Sequence, residues 1–242
     1  LAPVGFPSTL DNPVQQPLVQ MTEKALKLLS SSDKGFVVMI EGSQIDWCGH
    51  ANDVACAMAE MHDFGNAIKA AKAFVDANPD TLLVITADHE TGGLSLGANG
   101  IYAWNRDVIK AVKQTGPVLA KSLVKAKAAE QKQVWLAQTG LKLTDSEWQA
   151  LSQQINQLAP VYAAKDWSKE ADVLEAEADL LEPLAKQAKK LIDKYSNTGW
   201  TSGAHTAIDV PVLAYGKDAQ QFAGFQDNTA IASKLLNFIE KK

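Results

Sequence analysis

Two short apolar runs, Gly35-Phe36-Val37-Val38-Met39-Ile40 and Thr81-Leu82-Leu83-Val84-Ile85-Thr86, flank a long helical pattern. Each is rich in β-branched residues and short, so each is expected to be a buried strand. Between them Val54, Met58, Met61, Ile68 and Val75 fall at helical spacing, and Asn78-Pro79-Asp80 stops that helix near Ala77. Strand, helix, strand is a βαβ unit, which predicts parallel strands joined by a right-handed crossover. Ligands of open parallel sheets bind beyond the carboxyl ends of the strands. The first run leads into Glu41-Gly42-Ser43-Gln44-Ile45-Asp46-Trp47-Cys48-Gly49-His50-Ala51-Asn52-Asp53. The second leads into Ala87-Asp88-His89-Glu90-Thr91-Gly92-Gly93. Two clusters of acid and histidine are thus expected at one edge of one sheet.

Carboxylate with imidazole suits zinc and similar divalent metals. The four-residue gap from Asp46 to His50 puts both side chains on one face if the chain turns helical there. A third motif, Gly199-Trp200-Thr201-Ser202-Gly203-Ala204-His205-Thr206-Ala207, sets His205 in a small-residue loop, which favours a ligand over a core histidine. His62, on the long helix, reads as structural or surface.

Pro17 to Ser30 reads as a first helix, with Leu18, Met21, Ala25, Leu28 and Leu29 at helical spacing. From Gly97 to about Thr198 the composition turns to Ala, Lys, Gln, Glu and Leu, which predicts a helical insertion, 98–198, between core strands. Its expected helices are Trp104 to Thr115, Pro117 to Gln138, Thr144 to Leu158 and Ser168 to Tyr195. Pro183 is expected to kink or divide the last, and Pro160-Val161-Tyr162 reads as a linker. Thr144 and Glu147 match a capping box, so Asp145-Ser146 is a helix start and not a nucleophile. Val210 to Gly216 is a third strand candidate, with Pro211 at its start or on an edge. Asp227-Asn228-Thr229 caps a final helix packed through Ile231, Leu235, Phe238 and Ile239.

The 242 residues, 46% hydrophobic, suffice for one large domain. A net charge of -5 without a basic stripe argues against nucleic acid as a partner. No apolar run approaches the length of a membrane span. Leu1 to Pro7 carries neither an initiator Met nor a signal-peptide pattern, so something upstream is expected to have been removed or left out. Cys48 and Cys56, eight apart on what would be continuous helix, are expected to be free and buried, being too far apart to bridge. Cysteine usage therefore leaves the redox compartment undecided.

Glu-Gly-Ser-Gln-Ile-Asp-Trp-x-x-His-x-Asn-Asp, Thr-Ala-Asp-His-Glu-Thr-Gly-Gly and Gly-Trp-Thr-Ser-x-x-His-Thr, in this order, resemble the carboxy-terminal metal motifs of bacterial alkaline phosphatases. The resemblance runs from about Pro17 to the end and is nearest the marine and Bacillus-type members, which also carry a long helical insertion. It implies an α/β fold, the carboxy-terminal portion of a three-layer αβα sandwich with a mostly parallel central sheet. It implies Asp46, His50 and His205 on a first zinc, Asp88 and His89 on a second, and Glu41 on magnesium. Trp47 takes the place beside Asp46 where some members carry Lys or His, and is implied in the substrate pocket. The implied reaction is phosphomonoester hydrolysis through a covalent phosphoserine. A homodimer and a periplasmic or secreted location are implied as well.

The family's nucleophilic serine in an Asp-Ser-Ala setting, its phosphate-clamping arginine and its other metal ligands from the amino-terminal half have no counterpart here. Arg106 is the single arginine, in a Trp-Asn-Arg-Asp context that reads as a helix start. No catalytic nucleophile is assigned within the chain, whose expected partner is the missing amino-terminal half of the same enzyme. A non-catalytic zinc-binding fragment, and a phosphodiesterase or mutase with the same metal core, stay open beside the monoesterase.

Overall fold

The computed structural model describes residues 8–11, 17–169 and 173–240; the reading of Leu1 to Pro7 lies outside the described residues. In chain order come α1 (Leu18–Leu29), α2 (Gln44–His50), α3 (Val54–Ala77), β1 (Leu82–Ile85), β2 (Glu90–Thr91) and β3 (Ser95–Leu96). Then follow α4 (Arg106–Ala111), α5 (Gly116–Lys125), α6 (Gln131–Thr139), α7 (Asp145–Ala164) and α8 (Val173–Ser196). The chain closes with β4 (Thr198–Gly199), β5 (His205–Thr206), β6 (Leu213–Gly216) and α9 (Asn228–Glu240). Two compact units divide it: residues 8–11, Ser43–Glu60 and Thr91–Ala204, and residues 17–42, Met61–Glu90 and 205–240.

The first unit owns the larger core. Leu119, Leu123, Trp135, Leu151, Ile155 and Leu184 are fully buried, where α5 packs on α8 and α7, and α7 on α8. The helix signals act as written: Thr144 and Glu147 form the reciprocal capping box of α7. Gly140, at φ 70°, closes α6 with its N–H on the Leu136 carbonyl. The expected helix from Pro117 to Gln138 is two, α5 and α6, parted by a turn at 126–130.

One further expectation fails here: Pro160 lies inside α7 and not in a linker, while α8 runs undivided through Pro183. A proline removes one helical hydrogen bond, which favourable packing can outweigh. Tyr162, just past Pro160, is buried and donates its hydroxyl to Glu177 on α8 at 2.6 Å. Glu177 also accepts from Lys121 on α5, so one buried carboxylate ties three helices. Burial pushes Glu177 up, but the Lys121 ammonium and the Tyr162 hydroxyl outweigh it and hold the carboxyl below its ordinary value. Burial and the Glu177 bond push Tyr162 up to about 12.

In the second unit β1 pairs with β6 antiparallel, Leu82 opposite Gly216 and Ile85 opposite Leu213. This corrects the expected parallel pairing of two strands across α3. Residues 36–40 are not a strand; they alternate half-buried and exposed, with Val37 71% and Met39 88% exposed. A strand exists only with a hydrogen-bonded partner, and among the described residues this segment has no ladder, although Phe36 packs edge-on against Phe74 at 5.9 Å. Met61 is exposed; the helix α3 buries Ala67, Ala71 and Val75 in this unit instead. The expected packed face of α9 is at most half-buried and Ile239 is exposed, although Asp227 accepts from the Thr229 N–H and hydroxyl at its start. Among the described residues, no helix is long and apolar enough to cross a membrane.

Glu147 generates a test of how α7 and α8 are held together. Lys194 at 2.6 Å, Tyr195 at 2.7 Å and the Thr144 backbone N–H and hydroxyl at 2.9 and 2.8 Å hold its carboxylate, depressing its pKa to about 2. A depressed carboxylate stabilises the fold above its unfolded pKa and stops doing so as pH falls through the folded one. Glu147→Gln should cost about 1–2 kcal/mol at neutral pH. Thermal melts should show that gap narrowing below pH 4 and closing near pH 2.

Candidate metal centre

The chain turns helical where the Asp46–His50 spacing requires it, and α2 brings Oδ2 of Asp46 to 3.5 Å from Nε2 of His50. The opposite atoms of both side chains are held from behind. The Thr91 hydroxyl donates to Asp46 Oδ1. Nδ1 of His50 lies 2.8 Å from the Gly203 carbonyl; a carbonyl only accepts, so Nδ1 carries the proton and Nε2 is the basic nitrogen. A supported carboxylate beside a tautomer-fixed imidazole is the donor set that zinc sites use.

This half of the site is assembled from all three motifs, within the first unit. Asn52, left-handed at φ 48°, donates its side-chain amide to the carbonyls of Ser202 and Gly49. The Gly92 N–H donates to the Ala204 carbonyl, and the Gly92 carbonyl accepts from the N–H groups of Thr201 and Ser202. Gly92, at φ 92°, lies under the Trp200 ring, where a Cβ would stand 2.7 Å from ring carbons. Trp200 in turn donates from Nε1 to Asp193 of α8 at 3.3 Å.

The second unit carries the remaining candidate metal ligands, Glu41, Asp88, His89 and His205. His89 and His205 stack ring on ring at 3.5 Å, Asp88 lies 3.3 Å from His89, and the Thr206 hydroxyl bonds Glu90. Histidines implied for the first and the second zinc are therefore neighbours. Asp88 and Glu41 are exposed, and His89 is partly so. Trp47 is half-buried on α2, and Arg106 opens α4 on the surface.

Cys48 and Cys56 are joined in a disulfide, with Cα atoms 5.5 Å apart, which corrects the expectation of two free thiols. The expectation assumed one helix through both. Instead α2 ends at His50, and Ala51-Asn52-Asp53 turns the chain before α3 begins at Val54. Thr91, Asn52 and Asp193 are the functional supports that pattern reading missed. The first two stand inside the motifs; Asp193 carries no local signal.

The alkaline phosphatase family model matches residues 1–241. The chain belongs to the alkaline phosphatase family. Alkaline phosphatase 3 of Bacillus subtilis is 39% identical over 98% of this chain and 47% of its own length. The crystal structure of a cold-active alkaline phosphatase from the psychrophile Shewanella sp. matches at a TM-score of 0.83 and 39% identity, over 97% of this chain and 53% of that one. A variant of the TAB5 alkaline phosphatase with Mg bound in its M3 site matches at 0.50 and 25% identity, over 92% and 41%. The chain spans about half the length of the curated relatives it matches. Its α/β fold is thus that of alkaline phosphatases, and the family match extends beyond the Pro17 start of the motif resemblance.

Two measurements probe the supports of this candidate site in a member of the alkaline phosphatase family. Closing a loop of this size, the disulfide should contribute about 2–3 kcal/mol; Cys48→Ala with Cys56→Ala should lose that amount in chemical denaturation. Burial, then the nearby Asp53 charge, pushes Asp193 up to about 7 against the Trp200 bond and Lys189. A carboxyl raised in the fold loses its stabilising contribution as pH climbs from its unfolded value, near 4, to its folded one. Asp193→Asn should therefore raise the melting temperature at pH 8 and scarcely move it at pH 4.

Proposed function

We propose that this chain supplies the carboxy-terminal metal ligands of a phosphomonoesterase with a two-zinc plus magnesium site, acting through a serine outside these 242 residues. The observation that carries this is the supported Asp46–His50 pair on α2 in a member of the alkaline phosphatase family. Asp46, His50 and His205 are assigned to one zinc, Asp88 and His89 to a second, and Glu41 to magnesium. The stacking of His205 on His89 supports neighbouring metals, and the Mg of the TAB5 relative supports the magnesium assignment.

A bound metal pair would supply charge neutralisation and polarisation for in-line displacement at phosphorus. The chain's own residues orient the ligands. Thr91 fixes Asp46, and the Gly203 carbonyl keeps the proton on Nδ1 of His50. Ser202 accepts the Ala204 N–H on its hydroxyl at 2.9 Å and so shapes the loop that presents His205. Trp47 walls the phosphate pocket beside Asp46. The candidate nucleophiles inside the chain have other work: Ser43 stands at the start of α2 in the first metal motif, Ser146 lies within the α7 cap and Ser202 within the His205 loop. The half-length match supports the nucleophile's lying in a missing amino-terminal half. The disulfide supports a periplasmic or secreted location, because such bonds persist in oxidising compartments. The assembly inferred from the family is a homodimer.

The test is calorimetry with zinc, followed by a chromogenic phosphate ester. One zinc should bind tightly and be lost in His50→Ala or His205→Ala, while the isolated chain should not turn the ester over. Zinc uptake indifferent to both substitutions would overturn the ligand assignment. Robust turnover with phosphate trapped on a serine of this chain would overturn the placing of the nucleophile.

A further inference from the structure

The geometry points to Lys189 of α8 as a positioning residue for the zinc-bearing helix α2, an inference that rests on the proposed zinc site. Lys189 is more than nine-tenths buried, and its ammonium donates to the Ala51 carbonyl at 2.7 Å. Lysine is rarely so buried unless its charge is put to use. Ala51 follows His50 directly and ends α2, where outward carbonyls favour a cation. The Lys189 stem reaches that carbonyl past the start of α5. At Gly116 a Cβ would stand 2.8 Å from its Cγ and Cδ, so the glycine opens the passage that the lysine fills. Gly116 also donates its N–H to Oδ2 of Asp53 at 2.7 Å.

The insertion thus grips the turn after His50 twice, by a cation on the Ala51 carbonyl and by an N–H on the Asp53 carboxylate. Helix α2 can rotate His50 only if that turn moves. The ammonium of Lys189 fixes the turn and with it the direction in which Nε2 of His50 faces Asp46. Its loss leaves every ligand present but lets the pair relax, which speeds metal release more than it weakens the fold.

The experiment uses the full 242-residue chain loaded with zinc, following release to a chromogenic chelator at neutral pH beside thermal melts of the zinc-free protein. Lys189→Met keeps the stem and removes the charge; Gly116→Ala keeps the charge and crowds the stem. Both should release zinc about tenfold faster, the lower end for loss of a supporting contact. Glu147→Gln, which loosens the insertion elsewhere, should lower the melting temperature and leave the release rate unchanged. Release from both Lys189→Met and Gly116→Ala within about twofold of the parent would overturn the inference, as would equal acceleration by Glu147→Gln. A parent chain that takes up no zinc would overturn the proposed site itself, and its stoichiometry shows this before any variant is compared.

Discussion

One buried carboxylate sets the turn on which the candidate site depends. Asp53 gives Oδ1 to the N–H of Cys56, in the first turn of α3, and Oδ2 to the N–H of Gly116, which opens α5. Two helix starts, each with outward N–H groups and a positive dipole end, thus share one anion. Its own N–H returns to the Cys48 carbonyl at 2.9 Å, so α2 is tied into the same node. Burying a carboxylate costs several kcal/mol when it is unsatisfied. Here the hydrogen bonds that offset the cost also fix the angle at which α2 leaves α3, and so the direction of Asp46 and His50.

Around that node the first unit satisfies further buried polar groups by the same device. Glu60 accepts from the Ser8 hydroxyl and the Thr9 N–H at 2.7 Å each. Asp11 accepts from the Thr115 N–H at 2.8 Å and hydroxyl at 2.7 Å, and burial raises its carboxyl above the ordinary value in spite of both bonds. The residues 8–11 are thereby stitched to α3 and to the start of α5. A carboxylate that accepts several N–H and O–H groups is rigid as well as satisfied. Rigidity near the turn matters because ligand pairs tolerate little drift.

Helices were legible wherever their signals were local. The Thr144–Glu147 box and the Asp227 start act within a few residues and are found where their residues stand. Helix α1 forms over its expected span, although it buries Thr22 and Leu26 while Met21 and Leu28 of its expected apolar face are exposed. Motif residues were legible too, since Asp46 and His50 need only one helical turn between them. What failed was non-local. The 36–40 run has the composition of a strand, but no residue within it specifies a pairing partner. The disulfide was missed because the turn at Asn52 is enforced by Asp53 and Ser202, the latter far away in sequence. Pro160 looked like a boundary because the Tyr162–Glu177 bond that holds the helix through it lies in another element.

The glycines of the motifs are better explained by contact than by flexibility. A Cβ on Gly49 would stand 3.0 Å from the Thr91 carbonyl, and one on Gly93 would collide with the Thr201 hydroxyl. Gly92 has both reasons to be glycine, a positive φ and the Trp200 ring against it. These contacts run from the first motif to the second and from the second to the third. Where the second and third segments meet through backbone, in the hydrogen bonds of Gly92 with Thr201, Ser202 and Ala204, their separation is set by atoms that cannot adopt another rotamer. Asp46 and His50 then project from a base held by these bonds. Asp46 and His50 can remain partly exposed, as access of a metal to the candidate site would require, without losing their relative position. The small residues of the motifs thus fix where the candidate ligands stand and leave Asp46 and His50 themselves at the surface.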